Sequence, residues 1–193
     1  MTPSRHAATT LLRPEVLPRH AMPYIEVILV LLLILLNGLL AMSELAIASS
    51  RAVKLRAMVE RNVNGARRAL ILASNPGRFL STVQIGITLI GILAGAFSGA
   101  TLAGRVSDWF ITLGLRENVA EPLGFSLVIG LITYLSLIIG ELVPKQIALR
   151  NPERIACLVA PAMTILAKVS APLVWLLEHS GRLVLMLLGQ HRM

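Results

Sequence analysis

Gly140-Glu141-Leu142-Val143-Pro144-Lys145 closes a long apolar run, and reading it as the end of a membrane span decides the fold of what precedes it. A carboxylate within a hydrophobic span is costly unless it faces a partner, a cavity or an ion, so Glu141 is a functional candidate. Pro144 has no backbone N–H, and in an α-helix the Gly140 carbonyl, four residues earlier, then lacks its usual donor. A carboxylate beside a free carbonyl is an oxygen pair suited to a hard cation such as magnesium. The competing reading is local: Pro144 ends the helix at the membrane surface, and Glu141 pairs with Lys145 one turn on.

Composition agrees with a membrane setting. Of 193 residues, 55% are hydrophobic and only 15% charged, with mean hydropathy +0.76, outside the balance of soluble domains. The formal charge of +8 sits beside apolar spans with few aromatics, so it reads as the flanks that orient a membrane protein, and nucleic acid is not expected as a partner. Cys157 alone excludes an internal disulfide. Residues 1–22 hold Arg5, Arg13, Arg19 and three prolines without apolar period and are expected to be a disordered extension, with Met22 an alternative start.

Working outward, three spans are expected. The first, Tyr24 to Ala48, carries Asn37, Ala41, Glu44 and Ala48 on one stripe, with Glu26 at its outer end. Arg51, Lys54, Arg56, Arg61, Arg67, Arg68 and Arg78 follow against the single acid Glu60, which makes that loop cytoplasmic. From Ala52 to about Leu72 helical spacing continues, and this stretch is expected to extend the first span until Ser74-Asn75-Pro76-Gly77 breaks it. The second span, Phe79 to Ala103, carries Ser81, Gln84, Thr88, Gly91, Gly95 and Ser98 on about a third of its circumference. Gly91, Gly95 and Gly99 form small-xxx-small steps that let another helix approach closely. Residues 104–122 are expected to be an outer loop, and Leu123 to Val143 the third span. Two shorter apolar pieces, 155–167 and 172–188, read as helices at the cytoplasmic interface; a fourth span from Ile155 to Leu177 is the alternative. Residues 189–193 are a tail.

This topology puts Glu44, then Ser81, Gln84 and Thr88, then Gly140 and Glu141 at the cytoplasmic ends of successive spans. Three polar stripes at one depth are expected to pack together into an inward-facing cavity, because polar groups are unfavourable against lipid, and two carboxylates close together there would repel unless a cation sits between them. The bland alternative pairs Glu44 with Arg51 or Arg78. No HExxH, GxSxG or phosphate-binding loop occurs, so an enzyme is not expected.

Asn37-Gly38-Leu39-Leu40-Ala41-Met42-Ser43-Glu44-Leu45-Ala46, Leu80-Ser81-Thr82-Val83-Gln84-Ile85-Gly86-Ile87-Thr88-Leu89 and Gly140-Glu141-Leu142-Val143-Pro144-Lys145-Gln146 together resemble the transmembrane domain of the CNNM/CorC family, which includes haemolysin-like bacterial members. The resemblance covers about residues 25–188. It implies an all-α polytopic membrane protein of three transmembrane helices with juxtamembrane belt helices, forming a homodimer in the plasma membrane, the bacterial inner membrane. The N-terminus would lie outside and the C-terminus in the cytoplasm. It further implies magnesium export, with sodium as a coupling ion, and magnesium bound by Ser43, polar groups of the second span, the Gly140 carbonyl and Glu141; the residues themselves add Glu44 as a second carboxylate and Gln84 or Thr88 as the second-span ligands. Asn37, Ser81, Gly91, Gly95, Gly99 and Pro144 would support that site. Many relatives carry asparagine where this chain reads Ile87-Thr88, so coordination from the second span must differ. Relatives also continue into a pair of nucleotide-binding CBS domains, which this sequence does not include. The rival from another class is a non-transporting adaptor that binds a second membrane protein through its glycine face. A pore-forming toxin is the third reading, suggested only by the haemolysin label.

Overall fold

A computed structural model describes residues 23–187, so the expectations for 1–22 and 189–193 fall outside the described residues. Eight α-helices and one π turn account for nearly all of that stretch, without a strand among the described residues. Helix α1 runs Pro23–Ser49. Leu31, Leu32, Leu35, Leu36 and Leu39 stand exposed on one side, while Val30, Ile34, Leu40 and Ala41 are buried on the other. The first side is a lipid face, and the second is the seam along which the other spans pack.

Helix α4, Pro76–Thr112, lies along that seam. Phe79, Val83, Ile90 and Ala94 are buried at helical spacing, and Gly86 lets α4 approach so closely that a methyl group there would come within 2.9 Å of Leu40 Cδ1. The expected outer loop 104–122 is largely absent. Helix α4 continues to Thr112, Gly114 turns the chain at φ 92°, and α5 begins at Glu117. The residues on either side of Gly114 keep helical capacity, and only the glycine supplies the left-handed backbone a tight reversal needs. Helices α4 and α5, Glu117–Leu137, then pack as a close hairpin: a methyl group at Gly124 would collide with Ser107 Oγ.

The third span does not end at Val143. Helix α5 passes through a π turn, Ile138–Leu142, into α6, Val143–Arg150, so that one apolar rod runs Glu117–Arg150. With Tyr24–Ser49 and Phe79–Thr112, three helices are long and apolar enough to cross a membrane.

The expected straight extension after α1 folds back instead. Helices α2, Ala52–Glu60, and α3, Ala66–Ser74, are separated by a turn in which Asn62 takes φ 54° and Gly65 φ 80°. Apolar spacing continued through this stretch, but Asn62-Val63-Asn64-Gly65 offers two residue types that tolerate the left-handed region. At Gly65 a methyl group would collide with the Cys157 carbonyl oxygen, so α3 is seated against α7, Pro152–Val169. Glu153, 8% exposed, accepts the Arg51 amide at 3.5 Å and faces Lys54 Nζ at 3.3 Å. It joins the first turn of α7 to the start of α2. Burial raises the Glu153 pKa, but the hydrogen bonds of its own and the Arg51 amides and the Lys54 ammonium outweigh that and hold it below the ordinary value. Helix α8, Ala171–Leu187, follows; α7 and α8 meet the length and composition of a span only as one unit bent by 60°.

Candidate functional site

The π turn follows from Pro144. Where a proline cannot donate and its ring crowds the carbonyl four residues back, one extra residue in the turn relieves the clash. The Val143 N–H accordingly donates to the Ile138 carbonyl, five residues back. Proline therefore widens the helix without stopping it, which is where the expected helix end is corrected.

Helix α1 meets this turn at Asn37 and Gly38. A methyl group on Gly38 would lie 2.9 Å from the Ile139 carbonyl oxygen and 3.0 Å from Pro144 Cγ, and one on Gly140 would lie 3.3 Å from Asn37 Nδ2 and from the Ile34 carbonyl oxygen. Two glycines thus form a backbone-to-backbone contact between spans. Asn37 Nδ2 donates to the Gly140 carbonyl at 3.2 Å. The carbonyl expected to be free is therefore capped by a side chain of the first span, because a donorless carbonyl in an apolar setting is costly. On the same amide, Asn37 Oδ1 is buried without a partner.

Glu141 leaves the π turn half-exposed, and Lys145 Nζ donates to its Oε1 at 2.6 Å, with side chains 41% and 34% exposed. The local pairing expected from the spacing is formed. It does not enclose the carboxylate, two-fifths of whose side chain remains exposed. In chemical terms the carboxylate is holding a primary ammonium.

The other expected ligands are placed differently. Ser43 is fully buried, and its hydroxyl donates to the Leu39 carbonyl at 2.7 Å, the back-bond common for serine within helices. Glu44 is half-buried on the same turn, with no ion pair among the described residues. Gln84 and Thr88 are exposed on α4, Thr88 donating to the Gln84 carbonyl at 2.9 Å. Ser81 and Gln84 line a shallow groove of about 290 Å3 with Ile85, Val174 and Leu177. A methyl group on Gly91 or Gly95 would meet nothing within 4 Å, whereas one on Gly99 would pack on Phe125 at 3.3 Å. Of the expected residues, Asn37 of α1 touches Gly140 of the π turn, whereas Ser43 bonds within its own helix; on α4, Gln84 and Thr88 open to the outside of the bundle, Ser81 is half-buried and Ser98 is buried. No three His, Cys, Asp or Glu side chains among the described residues cluster tightly enough to hold a metal.

Two features escaped the sequence reading. Gly38 and Gly86 make close helix contacts, but neither lies in a small-xxx-small step with the glycines that drew notice. Arg105 Nη2 reaches Glu26 Oε2 at 3.0 Å, an ion pair joining α4 to α1 at the other end of the bundle. The missed signal was the length of the apolar period past Ala103, which keeps Arg105 within the helix.

Comparison with known proteins bears on these placements. The family model of the cyclin M transmembrane N-terminal domain matches residues 28–193. UPF0053 protein sll0260 of Synechocystis sp. strain PCC 6803 is 52% identical over 165 residues, covering 86% of this chain and 37% of the relative. UPF0053 protein YhdT of Bacillus subtilis is 29% identical over 85% of this chain and 36% of its own length. A protein of Escherichia coli K12 named polyamine export protein is 29% identical over 82% of this chain and 35% of its own length. The chain spans little more than a third of the length of these curated relatives.

Proposed function

Because the chain belongs to the cyclin M transmembrane N-terminal domain family, we propose that it forms the membrane part of a cation exporter in which Glu141 receives the cargo. The observation that carries this is a carboxylate set on a π turn in the third span, clamped by Asn37 and Gly38 of the first. Intramembrane carboxylates mark ion paths, and π turns gather at functional sites. The cargo proposed first is magnesium. That ion keeps several waters and binds through one or two carboxylates, which Glu141 with Glu44 can supply. Lys145 is displaced when the cation arrives, so the resident ammonium and the cargo compete for one carboxylate. Ser43, Gln84 and Thr88 join the site only after movement or through a second copy. The exposed Gln84 and Thr88 of α4 support a homodimer, since polar groups are unfavourable against lipid. Export driven by sodium entry is the direction proposed.

A second reading is favoured by one distance. The 2.6 Å contact between Lys145 Nζ and Glu141 is the contact an alkyl ammonium cargo would make, and relatives bear the name polyamine export protein. One experiment separates the readings: proteoliposomes with an entrapped magnesium indicator or labelled spermidine, each assayed with the native chain and Glu141→Gln. Magnesium flux lost in the variant supports the first, and spermidine flux lost in the variant supports the second. Neither flux from a folded native chain, with or without a sodium gradient, overturns both and favours the non-transporting adaptor.

A further inference from the structure

At the basic end of the bundle, apart from Glu141, a pocket of about 260 Å3 opens where α3, α4, α7 and α8 meet. Its walls are mostly apolar, with Ile71 and Leu72 of α3, Phe79 of α4, and Ala171 and Val174 of α8, and include the buried Thr82 of α4. Its rim is polar, and Lys168, in the last turn of α7, brings an exposed ammonium to it without an ion pair among the described residues. The surfaces around it are those of a membrane boundary. Ile165, Val169, Leu173, Trp175 and Leu176 stand exposed on α7 and α8, where a tryptophan is at home between water and hydrocarbon. Arg67 and Arg68 of α3 add positive charge to the same end.

An apolar pocket with one unpaired cation at its mouth, opening at a basic membrane boundary, matches an amphiphile with an anionic head. We infer that the α3–α4–α7–α8 pocket is a binding site for an anionic phospholipid, its phosphate on Lys168 and the first part of an acyl chain against Phe79 and Val174. Basic pockets between helices on this side of membrane proteins take anionic head groups. The volume admits a segment of chain, so the rest of the lipid lies in the bilayer along exposed α8. A lipid held there would brace the 60° bend between α7 and α8 against the start of α4.

The test uses the full chain purified in mild detergent, with retained lipid counted by native mass spectrometry after equal loading with phosphatidylglycerol and phosphatidylcholine. The native chain is expected to retain phosphatidylglycerol in preference. Lys168→Ala should lower that preference about fivefold, the contribution of one lysine at an anionic surface, and Lys168→Arg should keep it. Ala171→Leu, which narrows the pocket, should lower retention of both lipids while helical circular dichroism is unchanged. Equal retention of the two lipids by the native chain, or an unaltered preference in Lys168→Ala, overturns the inference. Glycerol 1-phosphate competing as well as the lipid does too, since it would make the site one for a free phosphate.

Discussion

Two polar regions of the spans look alike on a helical wheel and behave oppositely in space. At the junction of α1 with the π turn, Asn37, Gly38, Gly140 and Pro144 are used up on each other: a capped carbonyl, two glycines without room for a methyl group, a proline ring in contact. Along α4, Thr88 is exposed and a methyl group on Gly91 or Gly95 would meet open space, while Ser81 and Gln84 meet only a shallow groove against α8. A stripe of small and polar residues therefore identifies a face, but it does not say whether the face is filled by the same chain or waits for another.

Substitutions can break or sharpen this contrast. The largest effect is expected at the carboxylate on the closed junction: Glu141→Gln should lower cargo flux at least tenfold, about 1.4 kcal/mol or more in the barrier. Lys145→Met, which removes the competing ammonium, should lower the cargo concentration at half-maximal flux. Gly38→Leu should then cost about 1–3 kcal/mol through overpacking against Ile139 and Pro144, read as a lower unfolding midpoint in detergent. Glu153→Gln, outside both regions, should cost about 1–2 kcal/mol by weakening a charge-assisted contact with Lys54 and the Arg51 amide. Because the native Glu153 pKa is lowered, its contribution is full above the ordinary glutamate value of about 4.3. It is lost as pH falls from there through the lower native value. The difference between the native chain and Glu153→Gln should accordingly be constant near neutrality and close in acid, where melting at stepped pH would detect it. The smallest effect on the isolated chain is expected at Gly95→Leu, which meets open space and should leave the unfolding midpoint nearly unchanged. If α4 is a dimer face, the same substitution should abolish cross-linking between copies; a large loss of monomer stability would show that the stripe is covered by its own chain.

The three spans were legible because apolar length and charge flanks are properties of the chain alone, and each span lies where hydropathy put it. Their ends were less so. Residues 104–122 looked like a loop because charges returned there, yet charge does not break a helix, and only Gly114 does. The run 52–72 looked like one helix because its apolar period is unbroken, yet Gly65 turns it onto Cys157, a contact far along the chain that no local pattern records. At the site, Pro144 stood out because it lacks an N–H, and Glu141 because a carboxylate within an apolar span is costly. That Asn37 would serve the Gly140 carbonyl depended on the rotation of α1 about its own axis, and the wheel leaves that free. The pairing of Glu141 with Lys145 was legible from spacing alone.

Helix α4 is 37 residues long, which at 1.5 Å per residue makes a rod of about 55 Å. The hydrocarbon of a bilayer is about 30 Å thick, so roughly 25 Å must be taken up by tilt or stand in the head groups and water. Tilt in such helices follows membrane thickness. A thinner bilayer would lean α4 further, and through its seam with α1 the lean would reach the turn that carries Glu141. Lipid thickness thereby becomes a variable of the site, adjustable with acyl chains of different length and no change to the protein.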